Sequence, residues 1–137
     1  MRDTQRKGDT ATTQAIASFT RLGYDVSIPV TESAAYDLIV DVGGTLLRVQ
    51  CKYSGSSSHE VGLRRIHSNS GGYVSKKYAA GSFDALYVLR SDGEEFLIVE
   101  DLSGRSSIRV NKSEHRISNH EEITMSYKQA LTPVEGL

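Results

Sequence analysis

Residues 36–53 read Tyr36-Asp-Leu-Ile-Val-Asp-Val42, then Gly43-Gly44, then Thr45-Leu-Leu-Arg-Val-Gln-Cys-Lys-Tyr53. Two runs rich in β-branched and aliphatic residues, joined by a glycine pair, predict a β-hairpin with a two-residue turn. That turn fixes the register. Val42 faces Thr45, Val40 faces Leu47, Leu38 faces Val49, and Asp37 faces Gln50. Side chains alternate along a strand, so Leu38, Val40, Val42, Leu47, Val49, Cys51 and Tyr53 share one apolar face that belongs in a core. The other face carries Asp37 and Gln50, with Lys52 within diagonal reach.

Working outward, Ala11, Ala15, Ile16, Phe19 and Leu22 recur at helical spacing and Gly23 follows as a C-cap, which predicts an amphipathic helix over 9–22. Tyr24 to Val30 alternates but contains Pro29, the mark of an edge strand. Ser54-Gly-Ser-Ser-Ser58 is a loop. Val61 to His67 reads as a third strand, and Asn69-Ser-Gly-Gly72 breaks the chain. Phe83–Leu89 and Glu95–Val99 predict a second hairpin about Ser91-Asp92-Gly93, Ser106–Val110 a last short strand, and Ile123–Leu131 a helix. The order gives an α/β fold of the mixed α+β kind, one domain over 1–137 with a central mixed sheet flanked by helices.

The composition excludes several classes. With 38% hydrophobic and 24% charged residues, the 137-residue chain is neither disordered nor low in complexity. Its one cysteine, Cys51, forms no internal disulfide, and no Cys/His spacing fits a zinc site. Cys51, on the apolar face, reads as a buried small hydrophobe, and the four histidines as surface residues. No stretch approaches a membrane span and the N-terminus lacks a signal-peptide core, so a cytoplasmic protein with no membrane partner is expected.

A formal net charge of −1 argues weakly against a nucleic-acid partner until the charges are placed. Between Arg48 and Lys77 six basic residues meet the single acid Glu60, a local +5 that leaves −6 for the remainder. Arg48, Arg64, Arg65, His67, Asn69, Lys76 and Lys77 are therefore candidate DNA contacts: arginine reads guanine bidentately, Asn69 suits adenine, and the lysines hold phosphates. A charged guard on an exposed strand edge would give a similar pattern.

A carboxylate, a neutral oxygen and a lysine on adjacent strands suit metal-assisted phosphodiester hydrolysis. Asp37, the Gln50 side chain and the Cys51 carbonyl would hold a hard cation, and Lys52 would orient the attacking water or neutralise developing charge. The same trio would also arise as the wet face of a half-solvated hairpin. Asp84, at a strand start, reads either as a partner for Lys52 or Lys77 or as a turn cap.

Tyr36-Asp37, twelve residues, then Gln50-Cys51-Lys52 resembles the PD-(D/E)XK nuclease motif in its Q-X-K variant. Arg6-Lys7-Gly8-Asp9, Leu22-Gly23-Tyr24-Asp25-Val26, Arg48-Val49-Gln50-Cys51-Lys52 and Tyr78 before Phe83-Asp84 are similar to the small members related to group I intron homing endonucleases. The resemblance spans most of residues 6 to 100. It implies a restriction-endonuclease-like core, Mg2+ (with Mn2+ as substitute), double-stranded or branched DNA as substrate, and a homodimer or homotetramer. The chain departs from the family where many relatives place a glutamate four residues after the glycine, because Thr12 stands there; Asp9 is the candidate replacement. Two alternatives follow, an archaeal-type Holliday junction resolvase and a catalytically weak DNA-binding member of the fold.

Overall fold

The computed structural model describes residues 3–69, 72–77 and 81–117, and for 64–77 the backbone alone. The helix predicted over 123–131 lies outside them. In chain order the elements are helix α1 (Asp3–Arg21) and strands β1 (Asp25–Ser27), β2 (Leu38–Val42), β3 (Thr45–Ser54), β4 (Glu60–Gly62), β5 (Arg64–Asn69), β6 (Gly72–Lys77), β7 (Ala85–Arg90), β8 (Glu95–Ile98) and β9 (Ser107–Arg109). A short 3-10 turn at Ser113–His115 follows.

The hairpin forms as its sequence requires. Gly43 and Gly44 take φ of +60° and +91°, the left-handed pair of a type I′ turn, and the Gly44 N–H donates to Asp41 Oδ1 at 2.8 Å. Leu38 pairs with Val49, Val40 with Leu47 and Val42 with Thr45, the register the glycine pair dictates. β1 pairs antiparallel with β2 at the sheet edge, and β3 continues the sheet through a parallel pairing with β7, giving the five-stranded mixed order β1-β2-β3-β7-β8.

Both faces of this sheet are covered near β7, which is buried along its whole length. On one face α1 brings Ala11, Ala15 and Phe19 onto Leu38, Val40, Val49, Cys51 and Tyr87. On the other, the small β4–β9 sheet brings Val61 and Ile108 onto Leu86, Val88, Phe96 and Ile98. Burial of these aliphatic and aromatic side chains, worth about 1.5–3 kcal/mol each, is the main favourable term.

Two sequence expectations change. α1 begins at Asp3 rather than Asp9, because residues 3–8 are polar on every side and show no apolar period. That first stretch is held locally, by the Lys7–Asp3 ion pair at 3.2 Å and by the Thr10 hydroxyl donating to the Arg6 carbonyl at 2.8 Å. The run read as one strand over Val61–His67 is divided at Leu63. Buried Leu63 donates its N–H to the Ser106 carbonyl at 2.8 Å, and the chain beyond it pairs with β6 instead.

Candidate active site

The site forms where β2 stops and β3 continues. A longer β2 ladder would give the Cys51 N–H to the Tyr36 carbonyl. Instead the Asp37 N–H donates to the Val49 carbonyl at 2.9 Å, and Asp37 Oδ2 accepts the Cys51 N–H at 2.9 Å. The carboxylate thus replaces a ladder partner at an open strand edge. A strand residue points its N–H and C=O to the same side, so the Cys51 carbonyl faces this edge too. Gln50 Nε2 lies against that carbonyl at 3.4 Å.

Burial pushes the Asp37 carboxyl above its ordinary range, with the Cys51 N–H and the Lys52 charge acting the other way. Burial likewise lowers the Lys52 ammonium, which Asp37 partly restores. Two half-buried opposite charges beside a carbonyl and an amide are therefore brought together, and each is costly to ionise there. Cys51 is 6% exposed and its thiol is pushed far up by burial, which removes it as a nucleophile.

Asp37 also lines a cleft of about 540 Å³ whose walls include Asp9 and Thr12 of α1 and Ile28, Val30 and Tyr36 of the loop before β2. Asp9, the candidate replacement for the missing helix acid, lines the same cleft as Asp37. Thr12 is engaged elsewhere: its hydroxyl donates to the Gly8 carbonyl at 3.2 Å. Among the described residues no group of three or more His, Cys, Asp or Glu side chains could hold a metal ion. A cation here would use an all-oxygen set of one carboxylate, one main-chain carbonyl and one amide, and that set fits a hard divalent ion.

Sequence reasoning missed the role of Arg48 and Asp84. Asp84 stands one residue ahead of β7, as Asp37 stands one residue ahead of β2. Its N–H donates to the Arg48 carbonyl at 2.8 Å and its Oδ2 accepts the Arg48 N–H at 2.8 Å. The Arg48 guanidinium adds a bidentate pair, Nε to Oδ2 and a terminal nitrogen to Oδ1, each at 3.1 Å. Its Cζ lies 5.9 Å from the Tyr36 ring centroid. Asp84 thus takes Arg48 rather than Lys52 or Lys77, and hydrogen bonds from Arg48 outweigh its burial and hold its carboxyl below the ordinary range. The usable signal was position, an aspartate directly before an apolar strand that pairs with β3.

His115, expected at the surface, is a further departure: its side chain is mostly buried, with Nε2 3.4 Å from Glu100 Oε1. The remaining candidates lie on the β5–β6 ribbon, whose register sets Arg64 opposite Lys77, Arg65 opposite Lys76, His67 opposite Val74 and Asn69 opposite Gly72. Their side chains lie outside the described residues.

The sequence profile of the PD-(D/E)XK endonucleases matches residues 2–130. The chain belongs to that family. No curated protein sequence matches it. A solved bacterial homing endonuclease, I-Ssp6803I, shares the fold with a TM-score of 0.71 and 24% identity, over 96% of this chain and 100% of that one. The mixed five-stranded sheet with α1 is consistent with the PD-(D/E)XK endonuclease fold, and the family's nucleases generally use divalent metal ions. Among the described residues no helix is long and apolar enough to cross a membrane.

Proposed function

We propose that this protein is a Mg2+-dependent endonuclease that cuts double-stranded DNA, acting in the cytoplasm as a homo-oligomer with one site per strand. The observation that carries the reading is the Asp37 carboxylate and Cys51 carbonyl turned to one open edge of β3, with Lys52 close enough to bias Asp37. Asp37, the Cys51 carbonyl and the Gln50 amide oxygen would hold the ion. Rotation about the broad terminal torsion of Gln50 exchanges the amide nitrogen now on the Cys51 carbonyl for the oxygen. Bound there, a divalent cation would supply Lewis-acid polarisation of the scissile phosphate and a water of lowered pKa.

The chain's own residues do the rest. Lys52 holds the attacking water or neutralises charge on the phosphate oxygens as one P–O bond to water forms and one ester P–O bond breaks. Asp9, on the same cleft, adds a second carboxylate within the wall that Thr12 leaves without one. The ribbon sets Arg64, Arg65, Lys76 and Lys77 in two opposed pairs, and a two-stranded ribbon of this kind enters a DNA major groove. His67 and Asn69 stand farther along the same ribbon, at register positions suited to base edges.

The test is cleavage of linear duplex DNA by purified protein with Mg2+, and with Mn2+ as substitute. Asp37→Ala and Lys52→Ala should each lower the rate at least about 100-fold, the scale of removing one preorganised charge from a phosphoryl-transfer site. Cleavage that survives Asp37→Ala overturns the site, and preferential cutting of four-way junctions overturns the duplex assignment.

A further inference from the structure

Two cations flank the catalytic carboxylate on β3. Asp37 stands just beyond the Leu38–Val49 pair, with its N–H on the Val49 carbonyl and its Oδ2 on the Cys51 N–H, and Arg48 and Lys52 project from one face of β3 on either side of that contact. Diagonal neighbours of this kind are within reach of long side chains. Lys52 acts on Asp37, whereas Arg48 is turned away, bound through its main chain and both guanidinium contacts to Asp84. The guanidinium lies over Tyr36, the residue directly before Asp37. Freed of Asp84, the guanidinium would have in Asp37 the carboxylate next in sequence to the ring it lies over.

We propose that Asp84 sequesters Arg48 from Asp37, so that the Asp37 carboxylate stays available as a ligand; this rests on the reading of Asp37 as a metal-site residue. Asp84 is then a positioning residue that acts through Arg48, and the Arg48–Asp84 pair belongs to the site through its effect on Asp37. The proposal also accounts for the duplicated arrangement around β3. Each aspartate accepts one β3 amide, but only Asp84 is given an arginine.

The test uses Asp84→Asn, which keeps an acceptor for the Arg48 N–H and removes the charge, with Arg48→Met and the double variant as controls. Mn2+ binding is read by electron paramagnetic resonance, thermal melting checks that each variant is folded, and the arginine Nε–H region of the 15N–1H spectrum follows Arg48 directly. Asp84→Asn should weaken Mn2+ binding about 10-fold, because a guanidinium turned to the ligand carboxylate competes with the cation for it. Adding Arg48→Met should restore binding to within about 3-fold of Arg48→Met alone, since the competitor is then absent. In Asp84→Asn the Arg48 Nε–H signal should stay protected, and it should lose protection when Asp37→Asn is added.

A double variant as weak as Asp84→Asn would make Asp84 a strand brace and overturn the proposal. So would unchanged Mn2+ binding in Asp84→Asn, or an Arg48 signal that loses protection with Asp37 intact. Should the wild type neither bind Mn2+ nor cut DNA, the nuclease reading falls, and the Nε–H spectrum alone decides whether Asp84 keeps Arg48 from Asp37.

Discussion

Asp37 and Asp84 occupy equivalent places on the two sides of β3, and their electrostatic fates are opposite. Asp84 is ion-paired and held down, while Asp37 is buried beside a lysine and held up. Since the folded pKa of Asp37 lies above its ordinary value, its ionisation costs stability, and the cost appears as pH rises through the folded value. Lys52 lies below its ordinary value, so its cost appears as pH falls through the folded value. Both costs come from holding the charged forms in half-buried places. Replacing the pair by neutral residues of similar shape, Asp37→Asn with Lys52→Met, should therefore raise stability by about 1 kcal/mol, or roughly 3 °C in Tm, while abolishing cleavage. Thermal melts at neutral pH check this, and a lowered Tm would show that the two charges support the fold. From sequence alone Asp37, Gln50 and Lys52 were legible because the Gly-Gly turn fixes the register. The two aspartates were not distinguishable, because what separates them is an arginine contact that depends on β7 lying parallel to β3.

At the level of elements, the hairpin was readable and the polar segments were not. A glycine pair at positive φ between apolar strands has one common solution, and the chain adopts it. The first two turns of α1 carry no apolar period, and Leu63 looks like any strand residue until the second core cluster that buries it is assembled. The β5–β6 ribbon is the element richest in basic positions. It sets arginine against lysine at two successive cross-strand positions, and like charges so opposed are destabilising unless an anion compensates them. Arg65→Ser with Lys76→Ser should therefore weaken DNA binding for all sequences alike and reduce the slope of log K against log salt by about 2, without lowering Tm. Affinity measured across a salt series checks this, and an unchanged slope would remove the ribbon from the DNA surface.

For the whole molecule, a near-neutral total conceals segregated charge. The +5 segment contains the C-terminal part of β3 and the ribbon, while Asp92, Glu94, Glu95, Glu100 and Asp101 gather on the β7–β8 side. There several acids are already committed to the fold. Glu95 Oε1 accepts from the Ser18 and Tyr87 hydroxyls, and Asp92 pairs with buried Arg90, whose guanidinium also donates to the Val110 carbonyl at 3.0 Å. On β3 itself Lys52 stands beside Asp37, at the open edge beyond the end of β2. The central claim is that this edge holds the metal. A crystal structure with duplex DNA and Ca2+ tests it most directly. The predicted result is an ion within about 2.6 Å of the Asp37 carboxylate and the Cys51 carbonyl, with the Gln50 oxygen turned toward it. An ion held elsewhere, with the Asp37 carboxylate uncoordinated, would contradict the account.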